Sequence, residues 1–96
     1  MDAHGPVLNP LSKLIIGCAL TAAGALGTGF LEKVYENALA HELRKIGLAV
    51  EQQRGMTVMY DGISVGEYFV DLLVEQAIIV ELKTVQQLTA RIARNA

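Results

Sequence analysis

Apolar residues recur at spacings of three and four through the first half of the chain, and the period changes after Gly47. Asn9 followed by Pro10 is a helix start, because Asn can cap and Pro is tolerated at the first helical position, with Ser12 as an alternative cap. The pattern predicts a first helix from about Pro10 to Leu26, broken by Gly27-Thr28-Gly29. A second helix begins near Phe30 and places Leu31, Val34, Tyr35, Ala38, Leu39, Leu43 and Ile46 on one face. It ends at Gly47, with Arg44 and Lys45 in the last turn, where the helix dipole favours cations.

Beyond Gly47 the sequence is strand-like. Val50 to Gln53 and Met56 to Tyr60 read as strand pieces interrupted near Gly55, and Asp61-Gly62 is a two-residue hairpin signal. Tyr68 to Val74 and Ala77 to Lys83 are two further apolar runs, joined by a tight connection around Glu75-Gln76. A short helical stretch is expected from about Gln86 to Asn95. The fold class is therefore α+β: two N-terminal helices, then a three- to four-stranded, largely antiparallel sheet, then a short C-terminal helix. Residues 1–96 form one domain, without repeats, linkers or low-complexity tracts.

Composition narrows this picture. With 52% apolar and 19% charged residues the chain is globular, and three Tyr, two Phe and no Trp leave a mostly aliphatic core. The charge-free run from Leu14 to Leu31 reaches the length of a minimal membrane span, but Gly24, Gly27 and Gly29 argue against one continuous helix. The expectation is a buried helix followed by a glycine turn, with no membrane association. A lone cysteine, Cys18, among apolar neighbours fits a buried thiol in a reducing cytoplasm. The net charge of -2 offers no global positive field to attract a phosphate backbone.

Charges inside the last two apolar runs carry the chemistry. Asp71 interrupts one run, and Glu81 and Lys83 interrupt the next. If the loop spans Glu75 to Ala77, Val74 pairs with Ile78 and Asp71 lies opposite Glu81 on one sheet face, joined by Lys83 through the two-residue period. Val70, Leu72, Val74, Ile78, Val80 and Leu82 then share the other face and can pack against a helix. A two-residue loop would put the carboxylates on opposite faces.

Two carboxylates held together in an apolar setting repel each other and lose hydration, so one is protonated or a cation sits between them. Hard oxygen ligands of this kind suit Mg2+ or Mn2+, and a lysine on the same side can orient water or steady a phosphoryl transition state. The same spacing also fits a surface ion pair of Glu81 with Lys83, with Asp71 as a third member.

A resemblance bears on that choice. Gly29-Phe-Leu-Glu32-Lys-Val-Tyr35 resembles the signature of the GxxExxY protein family, a small branch of the PD-(D/E)XK nuclease superfamily. The likeness continues through Glu36-Asn37-Ala38-Leu39, Ile46-Gly47, Tyr60-Asp61-Gly62, Val65-Gly66-Glu67-Tyr68, Asp71-Leu72-Leu73-Val74 and Val80-Glu81-Leu82-Lys83, over roughly residues 11 to 89. It implies a restriction-endonuclease-like α/β core and divalent-metal-dependent hydrolysis of DNA or RNA. By the same resemblance Asp71 and Glu81 bind the metal, Lys83 positions the attacking water, and Glu32 completes the metal shell from the preceding helix. Tyr35, one turn further along, supports the site or belongs to the core. Glu36 and Glu67 read as solvated carboxylates.

The chain departs from the family pattern in two places. Ala22-Ala23 stands where the family usually places a valine-histidine pair. After the Glu81-Leu82-Lys83 strand the family continues into a helix with a glutamine and further strands, whereas this chain runs into Arg91-Ile-Ala-Arg-Asn-Ala96 and stops. A shortened member is expected to expose the Ala77–Lys83 strand as an open edge, which favours self-association into a homo-oligomer. The alternative function is accordingly a catalytically silent interaction or oligomerisation module that keeps the nuclease-like fold. His41 is expected to face solvent and His4 to lie in a frayed terminus, and neither has a partner at zinc-site spacing. The glycine turn follows a helix and lacks the lysine of a phosphate-binding loop.

Overall fold

The computed structural model describes residues 9–84 and 87–92. Helix α1 spans Pro10–Leu26. It starts with a reciprocal cap, in which the Ser12 amide donates to Asn9 Oδ1 and the Asn9 amide donates to Ser12 Oγ, each at 2.8 Å. Asn9 and Ser12 thus act as the two halves of one cap. Gly27 and Gly29 follow at φ 75° and 101°, left-handed values that let the chain turn back into α2.

Helix α2 spans Glu32–Lys45. It closes with the Gly47 amide on the Arg44 carbonyl at 3.0 Å and the Leu48 amide on the Leu43 carbonyl at 3.1 Å, around a left-handed Gly47 at φ 88°. This pair of bonds is the Schellman arrangement, and it places the hydrophobic Leu48 back against the core. Among the described residues no helix is long and apolar enough to cross a membrane.

The strands are β1 Val50–Tyr60, β2 Ile63–Val74, β3 Ile78–Thr84 and β4 Gln87–Ile92, in the sheet order β1-β2-β3-β4. All neighbours are antiparallel. Asp61 and Gly62 turn β1 into β2 with φ 54° and 78°, the mirror-image turn that matches strand twist. Glu75 and Gln76 turn β2 into β3, both at φ 56°, and Glu75 is anchored to Ala49 by two hydrogen bonds of 2.8 and 2.6 Å.

Several expectations are corrected at this level. The segment expected as a helix from Gln86 to Asn95 is strand β4 over Gln87–Ile92, and the rest of it lies outside the described residues. In sequence Leu88, Ala90 and Ile92 alternate with Thr89 and Arg91, and the backbone of β4 pairs with β3 from Ile78↔Ile92 to Thr84↔Gln87, so β3 is an internal strand and the expected open edge is closed. The interruption of β1 falls at Gln53, not at Gly55: Gln53 has φ 53°, and Gly55 sits in register opposite Phe69.

The sheet carries two apolar clusters. In the first, Leu72, Val74, Ile78 and Val80 pack against Ile15 of α1 and Leu39, Ala40 and Leu43 of α2, with Leu82 at the margin. Burying one such leucine contributes roughly 1.5–3 kcal/mol. The second contains Val70, Leu73 and Ile79, closed by Met56 and Tyr68. Val70 was expected on the helix-facing side with Leu72 and Val74, but it joins Leu73 and Ile79 because regular alternation fails at the Gln53–Asp71 step. The β1–β2 ladder passes from Gln52↔Leu72 to Arg54↔Val70 without a Gln53↔Asp71 pair. Arg54 and Glu51, three residues apart and so on opposite faces of a regular strand, bond at 2.8 Å across this reversal.

Candidate active site

The register that decides the geometry is the one a three-residue loop requires. Val74 pairs with Ile78, Leu73 with Ile79 and Leu72 with Val80. One step further the two strands are joined differently: Asp71 Oδ2 accepts a 2.7 Å hydrogen bond from the Leu82 amide. A side-chain carboxylate takes the place of a main-chain acceptor on β2, so Asp71 is fixed against the Glu81–Lys83 segment by a charge-assisted bond. Its other oxygen, Oδ1, accepts from Gln53 Nε2 at 3.4 Å.

Glu81 is half-buried and Lys83 is exposed, with Lys83 Nζ 3.5 Å from Glu81 Oε1. They lie two residues apart on β3 and so project to the same side. An ion pair this exposed contributes little to stability, on the order of 0–1 kcal/mol. The Lys83 ammonium lies beside Glu81 at the surface.

The helix residues are disposed as follows. Glu32 is the first residue of α2 and is exposed, in the first turn, where the dipole favours a carboxylate. Among the described residues no hydrogen bond or salt bridge joins it to Asp71 or Glu81. Tyr35 is buried, and its hydroxyl donates to the Gly27 carbonyl at 2.6 Å and accepts from the Phe30 amide at 3.4 Å. Tyr35 thereby ties the glycine turn to the helix that carries Glu32. His41 is exposed, as expected, and His4 lies outside the described residues.

Glu36 was expected to be solvated and is 4% exposed. Its carboxylate accepts from Lys33 Nζ at 3.0 Å, Gln52 Nε2 at 2.7 Å and Gln53 Nε2 at 2.9 Å. Burial, the largest single influence, pushes the carboxyl up, but the hydrogen bonds from Gln52, Lys33 and Gln53 and the Lys33 charge together outweigh it. The group is held below the ordinary glutamate range as an ionised, fully partnered carboxylate. The sequence held a signal for this. Glu36 stands three, four and seven residues before Leu39, Ala40 and Leu43, which puts it on the buried face of α2.

Asp71 and Glu81 supply the hard oxygen donors that a divalent cation of the Mg2+ or Mn2+ type takes, so their chemistry fits such an ion. Among the described residues no three His, Cys, Asp or Glu side chains converge into a ready-made metal shell. The connection from this pair to α2 runs through Gln53 to Glu36.

Comparisons with curated proteins and with solved structures give no match. A family model described as the PD-(D/E)XK nuclease superfamily matches residues 9–94, which takes in both helices and all four strands. The α+β architecture, two helices followed by an antiparallel sheet, agrees with that match, and the chain belongs to the PD-(D/E)XK nuclease superfamily.

Proposed function

We propose that the chain is a nuclease of the GxxExxY type that hydrolyses phosphodiester bonds of DNA or RNA with the help of Mg2+ or Mn2+. Asp71 and Glu81 would hold the ion, Glu32 would add a carboxylate from α2, and Lys83 would position the attacking water. When bound, the ion supplies positive charge that stabilises the phosphoryl transition state. The Lys83 ammonium adds a second positive group on the same side, where it donates to water or to a phosphoryl oxygen. The observation that carries this reading is the β2–β3 register, with Asp71 bonded to the Leu82 amide directly between Glu81 and Lys83. Nucleic acid is the partner this chemistry calls for, although the net charge of -2 gives no long-range attraction. Substrate capture would then depend on local contacts and on the cation. The half-buried, free Cys18, whose thiol is pushed up mainly by burial, suits a reducing cytoplasm.

A thermal melt in millimolar Mg2+ or Mn2+ tests the proposal. An ion at 100 times its Kd stabilises the folded state by about 2.7 kcal/mol. The expected result is a metal-dependent rise in melting temperature that disappears in the Asp71→Ala, Glu81→Ala double variant, followed by metal-dependent cleavage of DNA or RNA. A folded chain whose melt is unmoved by either ion overturns it and favours the catalytically silent module.

A further inference from the structure

Gln52 and Gln53 are consecutive residues of one strand, and in a regular strand their side chains would point to opposite faces. Both nevertheless reach the same carboxylate: Gln52 Nε2 donates to Glu36 Oε2 at 2.7 Å and Gln53 Nε2 donates to Glu36 Oε1 at 2.9 Å. The reversal is achieved by the left-handed backbone of Gln53, φ 53°, at the one step where the β1–β2 ladder between Val50 and Val58 lacks a pair. A non-glycine residue in this conformation is strained, and it persists where surrounding interactions fix it. Here the fixing interactions are visible. The Gln53 amide nitrogen has two N–H donors. It lies within bonding distance of one acceptor on each side, Glu36 Oε1 and Asp71 Oδ1, the latter at 3.4 Å.

We propose that Gln53 is a positioning residue for the metal-binding carboxylate of Asp71, with Glu36 as its buried anchor on α2. The inference rests on the reading of Asp71 as a metal ligand and adds the device that orients it. A glutamine suits this place because a neutral amide can donate to two carboxylates at once, whereas a third acid would repel both. With Oδ1 held by Gln53 and Oδ2 held by the Leu82 amide, the Asp71 carboxylate cannot rotate freely. Each oxygen keeps a second lone pair, so the orientation is set before any ion arrives. Glu36 is suited to be the anchor because it is buried on α2 and tied to Lys33 of the same helix.

Two variants test this. Gln53→Gly keeps the left-handed backbone and removes the amide. Gln53→Asn also tolerates that backbone and keeps an amide, but is one methylene too short to span Glu36 and Asp71. Thermal melts titrated with Mn2+ give the metal affinity, and melts without metal give the intrinsic stability. The expected result is a roughly 10–100-fold rise in the Mn2+ concentration needed for half-maximal stabilisation in both variants, the range typical for lost outer partners of metal ligands. The melt without metal should change little beside that. An unchanged Mn2+ requirement in a folded variant, whatever its melting temperature, makes Gln53 merely structural and overturns the inference. If wild-type protein itself shows no Mn2+ effect, the reading of Asp71 as a ligand fails first, and this inference falls with it.

Discussion

The β1–β2 hairpin is divided at Gln53 and Asp71 into two regions that differ in what they touch. On the near side, Leu72 and Val74 are fully buried beneath α1 and α2, and Gln52 is bonded to Glu36 and Asn37. On the far side, Val58, Tyr60, Ile63, Val65 and Phe69 are exposed, although the backbones of all but Val65, which falls at a shift in register, remain paired. The near region is held by packing against the helices, and the far region by the ladder and by the small Val70, Leu73 and Ile79 cluster that Met56 and Tyr68 close. The candidate site lies at the boundary, where packing against the helices gives out and a side-chain network takes over. Acids placed deeper would be desolvated beyond use, and acids further out would have no helix to brace them.

This contrast can be broken directly. Leu72→Ala empties a site in the helix-facing cluster and is expected to destabilise the fold by about 2–5 kcal/mol, whereas the same truncation at exposed Val65 stays within about 0.5 kcal/mol, both measured by urea unfolding. Comparable losses at the two positions would mean that the far region is packed after all. A smaller effect is expected at the glycine turn: Tyr35→Phe removes the bond to the Gly27 carbonyl and should lower stability by about 0.5–1.5 kcal/mol in a thermal melt. A loss well above that would mean the turn anchors more than α2.

The boundary network is probed by acid. Glu36 has a folded pKa below its unfolded value, so the stability it contributes is present above the unfolded value, about 4.3, and is lost as pH falls through the lowered folded value. Unfolding measured in steps from pH 7 to pH 3 should therefore show a shallower acid decline in Glu36→Gln than in the wild type. Parallel pH profiles would show that the Glu36 carboxylate does not depend on its ionised form.

Much of the fold was legible from local chemistry. Asn9, Pro10 and Ser12 announce α1, Gly47 ends α2, and Asp61-Gly62 makes the first hairpin turn, because each feature is settled by a few residues in contact. The β2–β3 register was legible once a three-residue loop was chosen, since that loop pairs Val74 with Ile78. β4 was not, because the alternation over Gln87–Ile92 spans too few residues to exclude a helix, and the segment takes its state from the edge of β3 that it covers. Glu36 escaped attention because a charged residue on an amphipathic helix is ordinarily solvated. The partners that bury it, Gln52 and Gln53, lie on another element and reach it only through a backbone reversal that glutamine does not announce.

The meander order of the sheet has a kinetic consequence. Every strand is hydrogen-bonded to the strand that precedes or follows it in the chain, with no crossover. Each ladder therefore closes a short loop, and the entropy lost before the first native bond forms is small. Low sequence separation between contacting residues is the property most closely associated with rapid folding. For a small sheet with exposed apolar residues on its hairpin, speed of that kind shortens the interval in which unpaired edges can meet a second chain.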